Sequence, residues 1–294
     1  MALRIITDSA CDLPKEQAER YNIEIIPTPL LIDGQDYLDG ETVQAKEFYD
    51  LLREGKRIST YHINTYMFTE HFEPYARRGD SLIYICFSTG IAGTYNAASL
   101  AGKEIVEQYP EFDLTIIDSK CASIGFGTIV LYAGMLLERC QEKEKIIDSV
   151  IFCCKHMKHI FTVDTLEYLL KGGRISKTAA LAGELLNIRP MIAVNEEGAL
   201  HAVGKVRGRR KSIQRLVDYV GEKGISLDRQ VIGIVHGDDE EMLEYVNQML
   251  MERYHVKNTL QNYVGCAIGA HTGPGIIGIT FMDEIPEFLE EILQ

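Results

Sequence analysis

The first half of the chain alternates short apolar segments with helix-like segments, and this alternation restricts the fold more than any other feature. The apolar segments predict strands at Leu3–Ile6, Ile23–Leu31, Leu82–Phe87 and Leu114–Ile117. The segments between and after them predict helices from Asp12 to about Tyr21, over Gly93–Glu107 and over Gly125–Glu142. Strands that alternate with helices form parallel βαβ units with right-handed connections. We therefore predict an N-terminal α/β domain with a parallel sheet.

The second half has a different pattern, in which a hairpin is mixed with scattered helices. A strand is predicted at Ile160–Val163, and Met191–Val194 pairs antiparallel with Leu200–Val206 across a turn. Helices are predicted at Leu166–Leu170, Ser176–Leu186, Arg209–Lys223 and Glu240–Tyr254. This mixture indicates a C-terminal α+β domain. We place the boundary near residue 158, which gives domains at 1–158 and 159–294.

Charge and composition exclude several classes of protein. The 43 acidic residues outnumber the 30 basic ones among 294, so no broad basic face is available for nucleic acid. No apolar run is long enough to span a bilayer, and Asp8 comes too early for a signal peptide. The seven cysteines show no C-x-x-C spacing, which argues against a zinc site or a disulfide framework. We expect a cytoplasmic protein without a metal or cofactor.

Positive charge is nevertheless concentrated in two short segments, Lys171–Lys177 and Lys205–Lys211. Beside Arg174, the pair Gly172-Gly173 has no side chains, so backbone N–H groups and the guanidinium could approach one oxyanion together. The alternative is a glycine pair that ends a helix, with solvated or ion-paired charges around it. The pattern is compatible with both interpretations.

Polar residues follow three of the predicted strands, at the sheet edge where open α/β sheets bind ligands. An aspartate in this position, such as Asp8 or Asp118, more often caps the next helix. Ser88 and Thr89 are stronger candidates, because small hydroxyls before a helix start can donate to an anion together with free backbone amides.

Six short motifs together resemble the DegV family, whose characterised members are the fatty-acid-binding proteins of bacterial fatty acid kinase. In chain order they span residues 8–14, 88–94, 118–120, 171–176, 205–208 and 271–275. The resemblance implies two domains with one long-chain fatty acid buried between them. It also implies that the protein is no enzyme, and that a separate kinase subunit uses ATP to phosphorylate the presented carboxylate. The sequence has no G-x-x-x-x-G-K-[ST] loop for binding nucleotide phosphates, which fits a binding protein that leaves ATP to a separate subunit.

The resemblance also implies ligand-binding residues: Thr60, Ser88, Thr89, Arg174, Arg207 and His271. Hydroxyls of Thr60 and of Ser88 or Thr89 would donate to the carboxylate, and His271, in a Gly-Pro-Gly turn, would polarise it. The two arginines would hold the head group or steady the phosphoryl group. The chain departs from the family pattern after Thr60, at Tyr61-His62-Ile63-Asn64, and at Ala92, where the family has serine.

Three other functions stay open on the sequence. A self-contained enzyme would use Asp8, Asp118 and His271 for acid–base or phosphoryl chemistry. A binding module for another acidic or phosphorylated molecule would clamp it with the two arginines, and a pure scaffold would use none of these residues. Candidate walls of an acyl tunnel, each of which taken alone is better explained as an ordinary core residue, are Ile26, Leu30, Phe68, Phe126, Leu166, Leu185 and Ile188.

Overall fold

The computed structural model describes residues 2–175 and 187–293. The strands are β1 (Leu3–Asp8), β2 (Glu24–Ile26), β3 (Pro29–Ile32), β4 (Gln35–Leu38), β5 (Ile58–Thr60), β6 (Ser81–Cys86), β7 (Leu114–Asp118), β8 (Met157–Thr162), β9 (Ile188–Val194), β10 (Leu200–Arg207), β11 (Val231–His236), β12 (Asn258–Tyr263) and β13 (Ile277–Met282). The helices are α1 (Lys15–Arg20), α2 (Ala45–Arg53), α3 (Thr65–Arg78), α4 (Thr94–Gln108), α5 (Ser123–Arg139), α6 (Lys143–His156), α7 (Glu167–Lys171), α8 (Arg209–Lys223), α9 (Glu240–Tyr254), α10 (Cys266–Thr272) and α11 (Glu287–Ile292). The predicted helix over Ser176–Leu186 lies outside the described residues.

A four-stranded parallel sheet forms the N-terminal half, in the order β2-β1-β6-β7, which confirms the predicted α/β arrangement. The strand predicted at Ile23–Leu31 is wrong as one element. Its first part is β2 of the parallel sheet, and its second part is β3 of a small antiparallel sheet ordered β4-β3-β5. Pro27 and Pro29 cause the division, because proline has no N–H to donate to a continuous strand ladder.

The C-terminal half contains a six-stranded mixed sheet in the order β10-β9-β8-β13-β11-β12. The predicted hairpin is present as the antiparallel pair β9 and β10, whereas β11 and β12 run parallel. This arrangement confirms the α+β character. The chain enters this sheet at Met157, and the boundary near residue 158 stays a prediction.

The two faces of the six-stranded sheet pack against different partners. Alternate residues of a strand point to opposite faces, so Phe161 and Val163 face the N-terminal half while Ile160 faces α8 and α9. Helix α5 lies between the parallel sheet and the six-stranded sheet, and it is buried along most of its length. A helix that is apolar on all sides is stable only in such a position.

Among the described residues, none of the helices is both long enough and apolar enough to cross a membrane.

Candidate functional site

A cavity of about 250 Å³ lies between the two large sheets, next to the N-terminus of α5. Strands β8 and β13 of the six-stranded sheet form one side, and the loops after β1, β5 and β6 form the other. Most of the lining is apolar, from Phe87, Ile91, Phe161, Leu169, Val194, Leu200, Val235, Ile268 and Ile276. Thr60, Arg174 and His271 are grouped near α7 and α10, and further polar side chains, Ser123, His159 and Thr280, line the wall near the N-terminus of α5. The cavity is therefore shaped for a molecule with a long apolar part and a polar end.

None of the described candidates for the tunnel wall lines this cavity. Leu185 lies outside the described residues. Ile26 and Phe68 pack beneath the parallel sheet, Leu30 packs against α2, and Phe126 lies in the interior of α5. Wall and core residues have the same hydropathy, so only the packing separates them.

Three of the predicted site residues meet at one end of the cavity: Thr60, Arg174 and His271. Thr60 Oγ1 at the end of β5 lies 2.7 Å from Nε2 of His271, although 211 positions separate them in the chain. Arg174, just after α7, donates from Nη1 to the carbonyl of Gly172 at 2.6 Å. All three side chains are partly buried. The cluster thus provides a hydroxyl, an imidazole and a guanidinium at the polar end of an apolar space.

Gly172 leaves room for the imidazole ring of His271. A Cβ on Gly172 would overlap Nδ1 of His271 and come within 3.0 Å of Cε1, whereas a Cβ on Gly173 would meet no described atom within 4 Å. Gly172 itself has an ordinary helical φ of −74°. Of the two interpretations that the sequence left open, the glycine pair that ends a helix matches the end of α7 at Lys171. In the structure the first glycine makes room for His271.

His271 is neutral near pH 7, because burial and the neighbouring charge of Arg174 lower its pKa to about 4. A neutral imidazole carries one N–H. When this hydrogen is on Nε2 it is donated to Thr60 Oγ1, and the threonine hydroxyl is then free to donate to a bound anion. Burial also lowers the pKa of Arg174. Arg174 is partly buried and forms no ion pair with a described residue, and such a cation favours an anionic ligand.

The predicted Gly-Pro-Gly turn is present at 273–275, whereas His271 itself lies before it, in the last turn of α10. This helix is held at its N-terminus by two buried aspartates that the sequence did not assign to the site. Asp12 accepts from Gly265 N at 2.9 Å, and Asp39 accepts from Cys266 N at 2.9 Å and Ala267 N at 3.1 Å. Carboxylates at a helix N-terminus are favourable to the helix, so they position the helix that carries His271.

Asp8 and Asp118 have structural partners. Asp8 lines the cavity, but it accepts from Tyr84 Oη at 2.9 Å and Phe87 N at 3.1 Å, and burial raises its pKa to about 6. Asp118 pairs with Lys120 at 2.7 Å and is not a lining residue. Asp118 therefore does not share the cavity with Asp8 and His271, so the three residues of the enzyme hypothesis do not all meet at one site.

Ser88 and Thr89 lie outside the cavity lining, and both hydroxyls have protein partners. Ser88 Oγ is buried and donates to the carbonyl of Gly198 at 2.8 Å, and Thr89 Oγ1 donates to Asp118 at 2.5 Å. A Cβ on Gly90 would lie only 2.5 Å from the carbonyl carbon of Gly198. The loop after β6 thus holds the β9–β10 turn against the N-terminal half, and Leu200 after that turn lines the cavity.

The second basic segment does not reach the cavity. Arg207 is exposed at the end of β10, and its guanidinium has no ion pair with a described residue. Arg209 pairs with Asp164 at 3.2 Å and Asp239 at 2.5 Å. In the first segment, Lys171 pairs with Glu167 at 2.7 Å. Several cations are therefore ion-paired, and Arg174 alone of those described lines the cavity.

Known proteins match this chain over nearly its full length. The family model described as uncharacterised protein, DegV family, matches residues 2–284. A DegV domain-containing protein of Clostridium perfringens is 38% identical over 285 residues, which cover 96% of this chain and 98% of the relative.

Two solved structures share the fold. A DegV family protein of Thermus thermophilus, described as binding fatty acid, has a TM-score of 0.87 at 28% identity, covering 96% of this chain and 100% of that one. A stearic-acid-binding protein of Eubacterium ventriosum has a TM-score of 0.86 at 26% identity, covering 96% and 99%.

Proposed function

The chain belongs to the DegV family, and on this premise we propose that it binds a long-chain fatty acid in the cavity between its two sheets. The single observation that carries the proposal is the cluster of Thr60, His271 and Arg174 at one end of a mainly apolar cavity. The fatty-acid ligands of the structural neighbours support it.

The carboxylate would lie between the hydroxyl of Thr60 and the guanidinium of Arg174. A carboxylate inside a protein stays ionised only when it is paired and hydrogen-bonded. Thr60 supplies a neutral donor that His271 orients, and Arg174 supplies the charge. Because the ring of His271 is neutral at pH 7, one positive side chain faces one negative head group.

The acyl chain would supply most of the affinity. Each buried methylene contributes about 0.8 kcal/mol, so a long chain gathers on the order of ten kcal/mol before ordering costs. Both halves of the molecule contribute apolar lining residues, which fits an acyl tail that supplies most of the binding free energy.

Purified protein is expected to carry a long-chain fatty acid, which denaturing extraction and mass spectrometry would detect. Thr60→Val removes the donor but keeps the shape, and we expect about ten- to a hundredfold weaker retention, the effect of one hydrogen bond to a charged group. Thr69→Val, in α3 and outside the cavity lining, is the control. An empty extract from protein that also takes up no added stearate would contradict the proposal.

We further propose that the bound carboxylate is presented to a separate kinase subunit, which phosphorylates it with ATP. Two observations support a kinase partner: the Lys205–Gly208 motif resembles that of the DegV family, and Arg207 lies on the surface. This arginine is exposed, outside the cavity and without a carboxylate partner among the described residues. Such a cation is available to a docked protein.

Arg207→Ala is expected to leave stearate binding within about twofold, because the side chain does not line the cavity. Acyl phosphate formation with a fatty acid kinase subunit and ATP should fall about tenfold, the effect of one lost charge-assisted contact. Lys103→Ala removes an exposed cation from α4 and is the control. Equal loss of binding and phosphorylation would instead place Arg207 at the ligand.

A further inference from the structure

The cavity opens to solvent beside the head-group cluster. Tyr61 and His62 follow Thr60 directly, and they are the only exposed side chains among the described residues of the lining. A Cβ on Gly93, in the loop after β6, would lie 4.0 Å from Cγ of His62, so the loops after β5 and β6 face each other here. Residues 61–66 and 91–96 thus form the rim of the opening.

The chain around this rim is free of formal charge and contains exposed aromatic side chains. Residues 58–69 and 81–102 contain no Asp, Glu, Lys or Arg, although 25% of all residues are charged. The rim instead carries Tyr61, Tyr66 and Tyr95, of which Tyr61 is 50% exposed and Tyr66 is 69% exposed. Depletion of charge and enrichment of tyrosine are typical of the central part of a protein–protein interface.

A protein that reaches the carboxylate through this opening would cover Tyr66. Tyr66 lies in the first turn of α3, four residues after His62. At most about 14 Å of extended chain separates their Cα atoms. A specific interface buries about 800 Å² on each partner, which corresponds to a round patch of about 16 Å radius. Tyr66 therefore lies inside a standard interface that is centred on the opening.

Electrostatics favours a protein that carries ATP over a lipid surface or a second copy of this chain. The net charge of −13 repels an anionic bilayer, and the rim has no Lys or Arg to offset it. A second copy would bring the same negative charge. Arg174 lines the cavity at this end and Arg207 is exposed, so positive charge is available to the phosphates of ATP.

We infer that the kinase subunit docks on this rim and that Tyr66 is an anchor of the interface. This inference rests on the proposed presentation of the carboxylate to a kinase. A few buried aromatic side chains carry most of the binding energy of an interface. Tyrosine is suited to this role, because it provides a large, rigid contact area at a low cost in conformational entropy.

The test measures phosphorylation of the stearate-loaded protein by a fatty acid kinase subunit with ATP. Tyr66→Ala should raise the KM for the loaded protein about tenfold, the effect of one lost anchor. The affinity for stearate should stay within about twofold, because Tyr66 does not line the cavity. Tyr66→Phe keeps the ring and should keep the KM. Tyr66→Glu should raise the KM further, and an acidic residue in the first turn of α3 is favourable to the helix.

The matched control is Met251→Ala, which should keep the KM of wild type. Met251 is 53% exposed on α9, and this helix packs on the face of the six-stranded sheet that points away from the cavity. Thermal unfolding checks the fold of each variant.

The outcomes separate the docking surface from the function on which it rests. Wild type that binds stearate but is not phosphorylated overturns the proposed presentation and the docking surface with it. Phosphorylation with an unchanged KM in Tyr66→Ala and Tyr66→Glu overturns only the docking surface. Two measurements then identify another occupant of the rim. Loss of sedimentation with phosphatidylglycerol vesicles in Tyr66→Ala would assign the rim to a lipid surface, and dissociation of a wild-type dimer would assign it to a second copy.

Discussion

Gly172→Ala is expected to weaken fatty-acid binding by about ten- to a hundredfold, although it adds one methyl group. The new Cβ would overlap Nδ1 of His271, so the ring must leave its position beside Thr60. Thr60 then loses the partner that frees its hydroxyl for the carboxylate. Hydrogen bonds to charged groups contribute about 1.5–3 kcal/mol, which sets the range. The measurement is titration with stearate at pH 7.

The matched control is Gly173→Asn, at the neighbouring glycine. Gly173 has a φ of 71°, a Cβ there would meet no described atom within 4 Å, and asparagine tolerates this left-handed conformation. The control should bind stearate like wild type. Because φ of Gly172 is −74°, backbone strain does not explain a loss in Gly172→Ala. Unchanged binding in Gly172→Ala would show that the position of His271 is not needed.

Gly278→Val is expected to remove most of the affinity for stearate while sparing a short acid such as octanoate. Gly278 lines the cavity between Ile276 and Thr280, and a Cβ there would already lie 3.1 Å from Val235 and 3.4 Å from Phe161. The valine methyls would occupy the space of the acyl chain. Excluding only four methylenes, at about 0.8 kcal/mol each, lowers affinity by about two orders of magnitude.

Gly204→Val is the control for a β-branched residue in the same sheet. Gly204 lies in exposed β10 outside the cavity lining, with its closest non-neighbouring atoms 3.9 Å from a Cβ. This variant should bind stearate and octanoate like wild type. If Gly278→Val kept its stearate affinity, the acyl chain would not run along β13. If octanoate binding also failed, the substitution would have disturbed the head-group end.

Local patterns in the sequence were sufficient for much of the fold. The observed bounds of α8 and α9 equal the predicted ones, because an amphipathic repeat lies between clear ends. Gly208 precedes α8, and the side chain of Asp239 caps α9 through Met242 N. The division between β2 and β3 was missed, although Pro27 and Pro29 are visible signals for it.

The site was only partly predictable for a physical reason. Thr60, Arg174 and His271 were predicted from sequence motifs, and the structure brings all three to one end of the cavity. Ser88 matched its motif equally well, yet its hydroxyl donates to the carbonyl of Gly198, 110 positions later. Whether a hydroxyl is free or paired depends on neighbours that only folding brings close.

The sequence by itself determined the alternating elements, the two kinds of sheet and the residue types available for an anion, because these depend on local periodicity and composition. The tertiary structure decided which side chains meet. It placed His271 on a helix whose N-terminus Asp12 and Asp39 hold, and it separated cavity wall from core. Hydrogen-bond partners and empty space are properties of long-range packing, and hydropathy along a chain contains neither.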